Sequence, residues 1–166
     1  MADSGSSFWA FSLKLYAEQA IANVCLNLQD QFDADVNVVL FMLWSAARGH
    51  RLSLEEIGDI IDLVKPWQIQ VVRPLRLARR SLKTPPSDWP LQETEALRQR
   101  VKADELEAER LQQQVLAHFA QANEMGQPDT VRAASLSNLA NYAKLLNVAF
   151  PDQAASILVA SLSSHD

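Results

Sequence analysis

The chain is short of the residues that corners require. Four glycines and seven prolines in 166 residues are too few for a turn-rich β-sandwich. The one cysteine, Cys25, cannot form an internal disulfide or build a thiolate metal cluster, and a reducing cytoplasm is the compartment that suits it. The longest apolar run, VVLFMLWSAA at 38–47, falls well short of the roughly 20 residues that a membrane helix needs, so a buried core helix and no membrane association are expected. The opening MADSGSSFWAFSLKLY lacks the basic start, apolar core and small-residue cleavage site of a signal peptide. A basic surplus is missing as well. Lys and Arg number 15 against 20 Asp and Glu, a net charge of −5, which works against general binding to nucleic-acid phosphates.

Chemistry-bearing patterns are equally sparse. His50, His118 and His165 are scattered without metal-ligand spacing. There is no nucleophile-elbow serine, no phosphate-cradling loop and no dinucleotide fingerprint, so no catalytic residue and no cofactor is implied. Cys25 falls within an apolar helical stretch and reads as a buried, inert thiol. Trp9, Trp44, Trp67 and Trp89 read as core and hinge packing.

What the sequence does contain is helix signal. Apolar residues at 48% and charged residues at 21% are ordinary for a globular chain, and 166 residues suffice for one helical domain over 1–166, frayed at 1–6 and 164–166. Ser6 or Ser7 can cap a first helix entering at Phe8 and fading near Asp30. Asp35 caps a second over about 36–48, closed by Arg48 and Gly49. Ser53 and Glu56 form a capping box for a third, with Ile57, Ile60, Ile61 and Val64 on one face. Pro66 interrupts that helix or opens the next, which runs to about 83 with Ile69, Val72 and Leu75 or Leu77 inward and a kink at Pro74. TPPSDWP at 84–90 is a loop in which Trp89 has something to bury.

Residues 91–124 predict the longest helix, with a four-three seam at 97, 101, 104, 108, 111, 115, 118 and 122 that Asp104 and His118 interrupt. Self-association through this helix is one expectation. Asp129 caps a helix reaching about Val148, with Leu136, Leu139, Ala140, Tyr142, Ala143 and Leu146 inward, and Pro151 starts the last. No strand alternates convincingly. The fold class is all-α, an irregular bundle of six or seven helices.

Two polar features stand out. LQDQFDADVN at 28–37 crowds Gln29, Asp30, Asp33, Asp35 and Asn37 together. A calcium loop counted from Asp33 needs glycine at its sixth position and glutamate at its twelfth, where this chain has Val38 and Trp44, so no metal site is expected. The plainer reading makes Asp35 a helix cap worth roughly 1 kcal/mol. The other feature is a row of Arg73, Arg76, Arg80 and Lys83 on one helix face, with Arg79 beside it. Residues 51–90 carry seven basic against five acidic residues and 91–126 four against seven, so the row can pair with the acidic 93–109 segment or grip an anion.

FWAFSLKLY at 8–16 and CLNLQDQFDADVNVVLFMLW at 25–44 resemble an uncharacterised family of short, mostly proteobacterial proteins classed as a domain of unknown function. Phe8, Trp9, Cys25, Leu26, Gln29, Asp30, Asp35, Val36, Asn37 and Trp44 carry the resemblance. Many members have glycine where this chain has Asp33, which puts a tight turn there in question. The resemblance implies a helical, cytoplasmic bacterial protein and brings no activity with it.

Function then divides three ways. The leading reading is a noncatalytic adaptor or regulator that docks an unknown protein partner through Arg73, Arg76, Arg80 and Lys83. The alternative is an enzyme or binder of an anionic small ligand, in a pocket where Gln29, Asp30, Asp35 and Asn37 meet Arg73 or Arg76. Nucleic-acid binding by the arginine row ranks third.

Overall fold

A computed structural model describes residues 4–163, and over them the chain is all-α, as its periodicity predicts. The helices are α1 (Ser4–Tyr16), α2 (Gln19–Phe32), α3 (Val36–Ala47), α4 (Leu54–Trp67), α5 (Arg73–Ser81), α6 (Leu91–Ala122), α7 (Val131–Leu145) and α8 (Asp152–Ser163). A π-helical segment, Gln68–Val72, joins α4 to α5 without a break, so the described residues form seven continuous helical rods. Two residue pairs, His50 with Pro128 and Arg51 with Gln127, add a short antiparallel ladder between β1 (His50–Arg51) and β2 (Gln127–Pro128). Residues 1–3 and 164–166 lie outside the described residues, and residues 4–6, expected to fray, already belong to α1.

α3 is the axis of the core. Every residue from Asn37 to Ala46 is buried, as expected of a helix apolar on all sides. Phe8 stacks on Trp44 at 5.0 Å and meets Phe41 edge-on at 5.6 Å, fixing α1 against this axis. Asp35 starts α3 as expected, accepting the Asn37 N–H at 2.9 Å. The Ser53–Glu56 capping box forms in full at α4, and Gly49 holds a left-handed φ of 76° after α3.

The sequence expectations fail where packing overrides local preference. The expected single helix from Phe8 to Asp30 breaks at Ala17–Glu18, where Glu18 turns extended. No glycine or proline marks the break. It frees α1 to lie along α6 while α2 packs on α3 and α8. Helix α4 runs through Pro66, and the change comes just after it. Pro74 offers no N–H, and its ring needs the space of the Gln70 carbonyl. The wide turn over 68–72, in which the Arg73 N–H reaches the Gln68 carbonyl, absorbs that mismatch. It also resets the register. Gln68 and Val72 point inward while Ile69 and Leu77 are exposed.

Of the expected seam on helix α6 only Ala108 is fully buried: the buried stripe is Thr94, Glu105, Ala108, Gln112, Gln113, Leu116 and Ala117, with Leu97, Leu111 and Val115 outside. Trp89 is 59% exposed and does not anchor its loop. Thr130, not Asp129, caps α7, and Asp129 instead accepts the Thr130 N–H and pairs with Arg51. On α7, Leu136 faces out, whereas Ser135 and Asn138 are buried.

Asn138 explains its own burial. Its Oδ1 accepts the Leu52 N–H at 2.8 Å, and its Nδ2 donates to the Met42 and His50 carbonyls, each at 3.1 Å. One side chain thus ties α7 to the middle of α3 and to β1. Asn138→Ala leaves the buried Leu52 N–H without this partner and should lower unfolding free energy by about 2 kcal/mol, read as a lower urea midpoint. Asp33, which ends α2, holds a left-handed φ of 55°. The tight turn is therefore present without the glycine. Asp33→Gly relieves that conformation and should raise stability by about 0.5–1 kcal/mol in the same assay, since the exposed Arg73–Asp33 pair it removes is worth little.

Candidate functional site

Helices α1, α2, α3, α5 and α6 enclose a cleft of about 300 Å³. Trp9, Leu13, Leu26, Val36, Leu40 and Leu106 supply its apolar walls. Its polar groups come from Ser12 and Tyr16 of α1, Gln29 of α2, Asn37 of α3, Arg76 and Arg79 of α5, and Lys102, Glu105, Glu109 and Gln113 of α6.

The cleft floor is the edge of a buried amide network. The Asp35 carboxylate accepts the Asn37 N–H on one oxygen and, on the other, the Gln112 Nε2 at 2.7 Å. The Gln112 Oε1 accepts from Gln68 Nε2 at 2.7 Å and from Asn37 Nδ2 at 3.4 Å. The Asn37 Oδ1 then accepts from Gln113 Nε2 at 2.9 Å. The π segment delivers Gln68 into this network, and the register of α6 delivers Gln112 and Gln113. Desolvation holds the Asp35 carboxyl above the ordinary carboxylate range, while the Gln112 and Asn37 bonds pull it back.

Two groups on the cleft are buried without a partner. Ser12, 3% exposed, and Gln113, 1% exposed, leave Oγ and Oε1 unbonded within the protein. Buried polar atoms are nearly always paired, so two such atoms carried by residues of one cleft mark it.

The cleft's mouth is a carboxylate–guanidinium clasp. Arg76 bonds Glu105 at 3.0 Å and Glu109 at 2.9 Å, and Arg79 bonds Glu105 through Nε and, at 3.3 Å, through a terminal nitrogen. Burial raises the Glu109 carboxyl from 4.5 to about 7, against the pull of Arg76. Burial likewise pushes the Tyr16 hydroxyl up to about 12 and the Cys25 thiol, in the interior of α2, up to about 12.

The residues singled out from sequence separate here. Gln29, Asn37 and Arg76 line the cleft. Asp35 stands behind its floor. Asp30 and Arg73 lie outside, paired at the surface with Arg80 and Asp33, each at 3.1 Å. Lys83 is exposed. The pairing of the arginine row with the 93–109 segment is seen for Arg76 and Arg79. Sequence reasoning missed Ser12, Glu105, Glu109, Gln112 and Gln113. The signal for the last four was their helical spacing on α6, where 105, 109, 112 and 113 are i, i+4, i+7 and i+8 and share one face, masked by the more apolar seam beside it. A larger groove of about 600 Å³, lined by Trp44, Arg48, His50 and Met125, has no unpartnered buried side-chain atom among the described residues.

Fold and cleft together define an all-α bundle with a polar-floored cleft. Residues 7–116 match the model of a family described as a protein of unknown function (DUF2390), and the chain belongs to that family. No curated protein and no solved structure matches the chain. The matched span contains every residue lining the cleft. Among the described residues no group of three or more His, Cys, Asp or Glu is placed to hold a metal ion, and no helix is long and apolar enough to cross a membrane.

The clasp has a pH signature. Between pH 4.5 and about 7 the Glu109 carboxyl holds its proton more firmly in the folded chain than in the unfolded one. Folding therefore takes up a proton there, and stability falls as pH rises through that window, then levels off. Glu109→Gln should remove this slope. From pH 5 to pH 8 the wild type should lose about 2 kcal/mol relative to the variant, measured by urea denaturation at both pH values.

Proposed function

We propose that the protein binds a small amphipathic organic molecule in the cleft between α1, α3, α5 and α6. The observation that carries this reading is the pair of unbonded buried atoms, Ser12 Oγ and Gln113 Oε1, on two residues that line a cleft with mainly apolar walls. Small-molecule sites combine these features: apolar lining for affinity and a few placed polar groups for orientation. A docking face built from Arg73, Arg76, Arg80 and Lys83 has less to offer a partner. Three of these four are engaged with carboxylates of the same chain, and displacing those costs part of what a partner would gain. The same compensation argues against a purely anionic ligand, since Glu105 and Glu109 offset Arg76 and Arg79. No reaction is assigned to the site.

Titration of ¹⁵N-labelled protein with benzamide, acetophenone, benzoate and benzylamine tests the reading. At least one probe should give saturable shifts grouped on the Trp9 indole, the Gln113 side chain and the backbone of Leu13 and Asn37. Leu13→Trp, which fills the mouth from an exposed position, should weaken that binding about tenfold. Shifts that are absent for all four probes, or that group elsewhere, overturn the proposal.

A further inference from the structure

The amide network has a direction, and its direction selects the ligand. Both Asp35 oxygens serve as acceptors, one for the Asn37 backbone N–H and the other facing Gln112. Asp35 therefore forces Gln112 to turn its NH₂ toward it, which turns the Gln112 oxygen toward Asn37 and Gln68. Asn37 must then present its NH₂ to Gln112 and its oxygen to Gln113. Gln113 must in turn give its NH₂ to Asn37, and Gln113 Oε1 is left over. A flip of any one amide would set two oxygens face to face in a dry interior. The polarity imposed at the start of α3 thus passes through three amides and ends as a lone acceptor on Gln113, a residue that lines the cleft.

We propose that Asp35 acts through the Gln112–Asn37–Gln113 relay to make the cleft selective for a ligand whose buried head carries an N–H or O–H donor, such as a neutral amide or alcohol, over an isosteric ketone or a carboxylate. This rests on the ligand-binding reading of the cleft. Asp35 is a positioning residue in it and Gln113 the contacting one. Ser12 completes the head site. Its hydroxyl can donate to an amide carbonyl or accept a second N–H, so an amide head suits both unbonded groups. A carboxylate head brings only acceptors toward Gln113 Oε1 and leaves that oxygen unpaired.

Benzamide and acetophenone differ by NH₂ against CH₃ and have nearly the same shape, so their affinity ratio reads the donor directly. In the wild type, NMR titration should show benzamide binding about fivefold or more tighter than acetophenone, with benzoate weakest. Gln113→Met keeps the length of the side chain and removes its acceptor, and should bring the benzamide-to-acetophenone ratio below twofold. Asp35→Asn preserves a good helix cap but frees the relay to reverse, and should also reduce the ratio while the two probes still bind. Equal affinity of benzamide and acetophenone for the wild type, or an undiminished ratio in a folded Gln113→Met variant, overturns donor selectivity and leaves the ligand cleft standing. Failure of all probes to bind the cleft overturns the cleft reading and this inference with it.

Discussion

The Asp35 carboxylate is the constraint from which the interior is organised. It caps α3, the apolar axis of the bundle, and it anchors Gln112 of α6 across the core. The cost of keeping this charge where water is scarce shows in its raised pKa. That cost is offset by hydrogen bonds, and the partners that supply them are fixed in place as a result. A core sealed wholly by apolar side chains would be less demanding. It would also be indifferent to which amide turned which way.

The continuous rod of α4, the π segment and α5 is held by different forces along its length. α4 docks through Ile57, Ile60 and Val64, an ordinary apolar stripe. α5 has no buried residue, and meets α6 through Arg76 and Arg79 on Glu105 and Glu109. The π segment makes the handover, turning Gln68 and Val72 inward after the phase of α4 has run out. An ion-paired clasp is a weaker and more pH-sensitive attachment than apolar packing, and here it forms the mouth of the cleft. The rim of the site can thus respond to pH, whereas α3 behind it is held by apolar burial.

Local chemistry was legible in the sequence and tertiary register was not. Asp35, the Ser53–Glu56 box and Gly49 announced themselves because caps and left-handed turns are decided within a few residues. The two-helix split at Ala17–Glu18 left no trace, since the residues there are acceptable in a helix and only packing separates α1 from α2. On α6 the hydrophobic pattern pointed to the stripe through Leu97, Leu111 and Val115, but the stripe that packs carries Glu105, Gln112 and Gln113. Burial of polar residues pays only when partners wait on other helices, and those partners are spread over 77 positions from Asp35 to Gln112. Of the candidate site, Gln29, Asn37 and Arg76 could be named in advance because they sit in conspicuous polar clusters. The glutamines that complete it sit among helix formers that look like solvent-facing residues.

The two capped helices also show why the later part of the chain matters to the cleft. In α4 the backbone N–H of the cap residue Ser53 is satisfied locally, by the Glu56 carboxylate at 2.7 Å. In α3 the corresponding position, three residues beyond Asp35, is Val38, which can accept nothing. The Asp35 N–H goes instead to the Tyr142 hydroxyl of α7 at 2.8 Å. Tyr142 thereby does for α3 what a capping-box glutamate does for α4, and both Asp35 oxygens stay free for Asn37 and Gln112. The family match ends at Leu116, yet this cap partner lies beyond it on α7. The helix cap from which the amide relay starts is thus completed by a helix that contributes no residue to the cleft itself.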